Sequence, residues 1–155
     1  MTDPIDLSRL VVESEPAPAD VDALEDILIA FNYQATGYTD GQLLAIFLRD
    51  SAGQLQAGLS GFTWGGYGMV QWLWVREDLR GQGVGSALLA RAEAEALRRG
   101  CRVMDLDTHS FQAPGFYQKL GYVVTGITPD SPAGYEWIHL QKRLSAGVPA
   151  DAQPK

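Results

Sequence analysis

The stretch Arg80-Gly81-Gln82-Gly83-Val84-Gly85-Ser86 decides how this sequence is read. It follows an apolar run, Met69 to Val75, dense in β-formers (Val70, Trp72, Trp74, Val75). It precedes Ser86 to Arg99, a run of Ala, Leu, Glu and Arg with strong helix propensity. Glycines between a strand and a helix let backbone N–H groups approach a ligand without interference from Cβ. The helix start that follows offers unpaired N–H groups and a positive dipole end, which together suit phosphate. Three glycines at alternate positions are costly in chain entropy, so a bound ligand explains them better than a purely structural turn.

Outward from this turn, the apolar residues of the following helix, Leu88, Leu89, Ala92 and Ala96, form one narrow face. Glu95 and Arg99 make an i,i+4 pair, and Gly100 stands at the C-terminal cap. Upstream, Leu43–Leu48, Leu55–Trp64 and Met69–Val75 read as three strands joined by short turns, Asp50 to Gly53 and Gly65 to Gly68, which favours an antiparallel meander. Before them, residues 8–13 read as a first strand. Asp20 then N-caps a helix over 20–33, with Val21, Leu24, Ile27, Leu28 and Phe31 at helical spacing. Downstream, 102–107 reads as a strand, 112–120 as a short helix stopped by Gly121, and 122–127 and 135–142 as two final strands. The order β, α, β, β, β, α, β, α, β, β predicts an α+β domain with a mixed, mostly antiparallel sheet of about seven strands flanked by helices. One domain is expected over 1–144, with a disordered tail over 145–155.

Two nucleotide motifs fail at the turn. A P-loop needs Gly-x-x-x-x-Gly-Lys-Ser/Thr, and no Lys lies nearby. A Rossmann fingerprint needs a third glycine where Ser86 stands, and the strands before it form a meander rather than the opening of a βαβ unit. A third pattern, Arg-x-x-Gly-x-Gly, is matched by Arg80, Gly83 and Gly85. With Leu73-Trp74-Val75 before it and the Ala/Leu helix after it, the segment resembles the acetyl-CoA motif of the GCN5-related N-acetyltransferases (GNAT). A second segment, Ala113-Pro114-Gly115-Phe116-Tyr117-Gln118-Lys119-Leu120-Gly121-Tyr122, is similar to that family's Phe-Tyr-x-Lys-x-Gly-Phe/Tyr run and follows at the family's spacing. With the element order derived above, the resemblance covers roughly residues 8–144. Within the family, Leu106 to Pro114 resembles an uncharacterised bacterial subgroup.

The resemblance implies a GNAT-like fold and an enzyme that passes the acetyl group of acetyl-CoA directly to a primary amine of a small molecule or peptide. It implies roles residue by residue. Leu73, Trp74 and Val75 pair their backbone with the pantetheine arm as an added strand. Residues Gly81, Gln82, Gly83, Val84, Gly85 and Ser86 cradle the pyrophosphate, with Arg80 beside it. Gln112, Phe116 and Lys119 complete the cofactor side. Tyr117 stands near the CoA sulfur to protonate the leaving thiolate, and a backbone N–H at Leu73 serves the oxyanion. The amine must also lose a proton. Relatives that use a carboxylate before the glycine turn have it where this chain offers Gln71, the inward candidate, which accepts no proton. Asp107, His109 or a water chain are the substitutes. No covalent enzyme intermediate and no metal are needed. A non-catalytic acyl-CoA sensor on the same fold is the alternative.

Composition sets outer bounds. The chain has 155 residues, a formal charge of −7 and one cysteine, Cys101, so an internal disulfide and a Cys-rich zinc site are excluded. The acidic balance argues against nucleic acid as a partner. No apolar run reaches the roughly 18 residues of a membrane span, and the acidic start lacks the shape of a secretory signal, so a cytoplasmic location is expected. The charge is uneven: residues 1–75 carry 2 basic and 10 acidic side chains, and residues 76–102 carry 6 basic and 4 acidic. The one net-positive stretch holds the glycine turn, where a polyanionic cofactor is expected. The acidic part includes the segment from Asp20 to Asp40 that, by the resemblance, borders the acceptor. A small cationic amine is therefore the expected partner. The family's habit of pairing through sheets or C-terminal strands allows a homodimer.

Overall fold

In the computed structural model the described residues are 5–145. The chain divides into two compact units, Met1–Tyr38 and Thr39–Lys155, and each is described by itself. The expected tail, but for Ser145, lies outside the described residues.

In the first unit the strand expected over 8–13 does not form. Leu7–Arg9 is a single 3₁₀ turn, and residues 10–17 are irregular. The Asp6 carboxylate takes both the backbone N–H and the hydroxyl of Ser8 (3.0 and 2.6 Å), a local capping pattern that competes with a ladder. Pro16 and Pro18 remove two further donors. Helix α1 spans Pro18–Thr36 and starts two residues before Asp20, because Pro18 sits at the first helical position, where its fixed φ suits the helix. Ala17 is its N-cap, and Gly37 closes its C-terminus through an N–H bond to the Tyr33 carbonyl (2.9 Å).

Among the described residues the second unit is a six-stranded sheet with two α-helices. Its strands are β1 Gln42–Arg49, β2 Leu55–Trp64, β3 Tyr67–Val75, β4 Val103–His109, β5 Val123–Thr128 and β6 Trp137–Arg143. Helix α2 spans Val84–Arg98 and α3 Pro114–Lys119. The strand order is β1-β2-β3-β4-β6-β5, and every pair is antiparallel except β3–β4. The sheet therefore has six strands rather than seven, and it is the first expected strand that is missing. The rest of the expected order holds, including the β1–β2–β3 meander. Its turns are chemically specified: Asp50 takes the N–H groups of Ala52 and Gln54 (both 2.9 Å), while Gly65-Gly66 forms a two-residue hairpin turn with both φ angles positive.

The four residues read as the apolar face of α2, namely Leu88, Leu89, Ala92 and Ala96, are the ones it buries. They pack in one core with Leu59, Val70, Met104, Leu106 and Leu140, where each large aliphatic side chain contributes about 1.5–3 kcal/mol. The helix ends as expected, with Gly100 N–H on the Leu97 carbonyl and Cys101 N–H on that of Ala96 (2.9 Å each), a Schellman closure. Arg99 does more than pair with Glu95 (2.7 Å). Its guanidinium also reaches the Leu43 carbonyl (2.9 Å) and the Thr63 hydroxyl (3.2 Å), pinning the end of α2 to β1 and β2. On the far side, Glu93 accepts from Tyr122 (3.1 Å) and from Lys142 (2.7 Å), joining α2 to β6 and to the residue that precedes β5. Burial first, and Glu93 second, push the Tyr122 phenol far above its ordinary range, so it stays a donor.

Candidate active site

The site begins with a mismatch in strand pairing. β3 follows β2 along its whole length, from Tyr67 opposite Trp64 to Val75 opposite Ala57. It follows β4 only from Tyr67 to Val70, opposite Val103 to Leu106. Among the described residues, beyond that point β3 pairs only with β2, and Asp107 to His109 pair only with β6. A notch therefore opens in the middle of the sheet, lined by two backbone edges that lack strand partners.

A β-bulge accompanies the opening. The β2–β3 register runs Ser60↔Trp72 and then Gly61↔Val70, so Gln71 is the extra residue. Gly61 makes this pairing feasible, because a Cβ there would lie 1.8 Å from the Met69 carbonyl oxygen. The bulge also resets the alternation of β3. Val70 is buried, Gln71 is exposed, and Leu73 and Val75 then return to the packed face. Gln71 was expected to point inward, and the bulge corrects that. Trp72 (75% exposed) and Trp74 lie on the face opposite Leu73 and Val75, away from the core.

The glycine turn lies just past the open end of β3. Arg80 donates from Nε to the Val75 carbonyl (3.0 Å), so its guanidinium is held at that end, and it forms no ion pair among the described residues. Gln82 is tied back to the Asp78 carbonyl (2.7 Å). Gly83 is the N-cap of α2 with φ +82°, a conformation that L side chains rarely adopt. No side chain caps the helix and no acidic residue sits in its first turn. Its first N–H groups are therefore available, in a positive field, for an anion. Helix α2 begins at Val84, two residues earlier than read from the sequence, so Val84, Gly85 and Ser86 form its first turn. Phe116 of α3 packs on this turn, where a Cβ on Gly85 would meet its ring at 3.1 Å.

Tyr117 packs against Phe116 and Tyr122 with its ring half-buried. Its hydroxyl makes no hydrogen bond among the described residues, and burial pushes its acidity down, so the phenol keeps its proton at neutral pH. Lys119 is exposed at the end of α3, without an ion pair among the described residues. Gln112 Oε1 accepts from the His109 backbone N–H (2.9 Å) and the Thr108 hydroxyl (3.1 Å), closing the end of β4.

On β4, Asp107 and His109 share a face but differ in surroundings. Asp107 Oδ1 lies 2.6 Å from Nδ1 of His139, its register partner on β6. His109 is the last residue of the strand, with its ring stacked between Phe111 (5.0 Å) and Trp137 (6.1 Å). His139 is the residue that sequence reasoning missed. Its only local signal is alternation along Trp137–Arg143, and nothing local says which β4 residue stands opposite. Cys101 is buried, and burial followed by the charge of Asp40 raises its thiol, as suits an inert packing residue. Among the described residues, no group of three or more potential metal ligands occurs and no helix is long and apolar enough to cross a membrane.

An open β-edge running into an uncapped, glycine-led helix start, with a protonated phenol packed beside that helix, has the parts of an acyl-CoA-dependent transferase. A family model described as acetyltransferase (GNAT) domain matches residues 42–124, which contain the meander, the notch and both glycine-bearing segments. An acetyltransferase of Agrobacterium fabrum is 36% identical over 134 residues, covering 86% of this chain and 98% of its own. The blasticidin-S acetyltransferase of Streptomyces morookaense is 42% identical over 104 residues, covering 66% of this chain and 76% of its own. A crystal structure of an Agrobacterium tumefaciens protein superposes with a TM-score of 0.81 at 33% identity, over 87% of this chain and 98% of that one. The chain belongs to the GNAT acetyltransferase family, and it is an acetyl-CoA-dependent acetyltransferase.

Proposed function

We propose that this enzyme transfers acetyl from acetyl-CoA to a primary amine of a small molecule or peptide, and that residues 1–144 form its single acetyltransferase domain. The observation that carries the reading is the notch: an unpaired β3 edge that ends at Arg80 and the uncapped start of α2. Acetyl-CoA supplies an activated acyl thioester and a polyanionic handle. The N–H groups from Gly81 to Ser86 and the Arg80 guanidinium bind the pyrophosphate. The edge of Leu73, Trp74 and Val75 aligns the pantetheine arm, Phe116 packs beside the handle, and Lys119 lies toward the adenosine phosphates. The Leu73 N–H faces the carbonyl oxygen as charge develops there.

Asp107 takes a proton from the incoming ammonium and returns it to solvent. The free amine then forms its C–N bond to the acyl carbon as the C–S bond breaks. The second N–H proton leaves by the same carboxylate, and the Tyr117 phenol protonates the thiolate. Tyr117 recovers its proton from solvent. His109 remains the alternative proton acceptor.

The test is thiol release from acetyl-CoA across polyamines, amino acids, aminoglycosides, peptide N-termini and blasticidin S, with cofactor affinity measured in parallel by calorimetry. Blasticidin S is included because a relative is named for it. Turnover with at least one amine is expected. Binding of acetyl-CoA with no transfer would favour the sensor instead, and no binding at high micromolar acetyl-CoA would overturn both.

A further inference from the structure

The Asp107 carboxylate has two oxygens and two neighbouring strands. Oδ1 is engaged on the β6 side by His139 at 2.6 Å, while Oδ2 makes no hydrogen bond among the described residues. On its other side β4 has lost β3, because pairing ends at Leu106. Asp107 is therefore the first β4 residue along the notch, with a spare acceptor there. Its side chain is 28% exposed and that of His139 36% exposed, so both can be reached by a ligand.

His139 is fixed from three sides. Nδ1 meets Asp107, Nε2 lies 3.3 Å from the Thr128 hydroxyl on β5, and the Trp137 ring packs beside the imidazole at 5.2 Å. A proton must lie between a carboxylate oxygen and a ring nitrogen 2.6 Å apart, since two bare lone pairs would repel. With Asp107 as a carboxylate, Nδ1 is the donor, and Thr128 donates to Nε2 when the ring is neutral. An imidazole held in this way fixes the rotamer of the carboxylate, the logic by which supporting hydrogen bonds orient a reacting group.

We propose that His139 is a positioning residue of the acceptor site, holding Asp107 at the open end of the β3–β4 notch so that its free oxygen meets the ammonium of the incoming amine. The role rests on the acetyltransfer reading above and adds to it a residue two strands from β3.

Two polar replacements separate positioning from packing. In His139→Asn the amide nitrogen falls near the place of Nδ1 and still reaches Asp107. In His139→Gln it falls one bond further out, near the place of Nε2, and does not. Steady-state kinetics with acetyl-CoA and the best acceptor from the thiol-release screen should show kcat/KM for the acceptor reduced on the order of 10- to 100-fold in the Gln variant, the scale expected of a misplaced reacting group. The Asn variant should recover most of that loss. KM for acetyl-CoA should stay unchanged in both, and thermal melts establish that both fold. Equal kinetics in the two variants, whether both intact or both impaired, would overturn the positioning role while leaving acetyltransfer standing. A wild-type protein that acetylates nothing overturns the acetyltransfer reading and this role with it.

Discussion

The two halves of the β3–β4 pair are built on opposite principles. From Tyr67 to Val70, β3 is closed on both sides, and space is so short that a Cβ on Gly68 would meet the Met104 sulfur at 2.8 Å. From Gln71 to Val75 the same strand keeps one partner and leaves its other edge open. A parallel pair that continued would satisfy more backbone groups, so the opening forgoes ladder hydrogen bonds worth about 0.5–1.5 kcal/mol each. The closed half and the core beneath α2 offset that loss. Stability is concentrated where the sheet is complete, and the proposed chemistry lies where it is not.

The comparison breaks most directly at Gly61. Gly61→Ala forces a methyl into the Met69 carbonyl, and we expect a loss of about 3 kcal/mol or more, or failure to fold, read as a fall in Tm. A Tm within a degree or two of the parent would mean that the bulge is not anchored there. On α3, Tyr117→Phe keeps the packing of the ring and removes its proton. kcat should fall on the order of 100-fold with KM for acetyl-CoA little changed, and an unaltered kcat would remove Tyr117 from the reaction. Because burial raises the phenol, the parent should keep its activity to more alkaline pH than a tyrosine of ordinary acidity would allow, losing it only as the phenol ionises. Arg80→Ala should weaken acetyl-CoA binding about tenfold, seen as Kd by calorimetry, and a constant Kd would assign the pyrophosphate to the backbone alone.

The smallest effect belongs to helix α2, which packs against the closed half. Arg98 and Arg99 hydrogen-bond Glu95 and hold its carboxyl down to about 2. A depressed carboxyl stabilises the fold above the ordinary glutamate range, and the contribution is lost as pH falls toward that value. The Tm gap between parent and Glu95→Gln should therefore be small, level near neutrality, and shrinking in acid. A gap that widens in acid would contradict the pairing.

The helix α2 was legible almost residue by residue, since 3.6-residue periodicity marks Leu88, Leu89, Ala92 and Ala96, and its Schellman end follows from Gly100. Residues 8–13 misled because a short apolar run between an Asp–Ser turn and two prolines has strand composition without a strand partner. Gln71 misled for a different reason. Alternation predicts a face only while the register holds, and a one-residue bulge reverses it.

By itself the sequence determined the glycine turn at 80–86, the helix behind it, the meander before it and the second motif at 113–122, because each is written in local residue order and local backbone chemistry. That was enough for the family and for where a polyanionic handle is proposed to bind. The tertiary structure alone decided that β3 and β4 part after Val70 and Leu106, that Trp72 and Trp74 face away from the core, and that Asp107 meets His139. The reason is that cross-strand register joins residues 32 positions apart, such as Asp107 and His139, through backbone hydrogen bonds that every residue type can make.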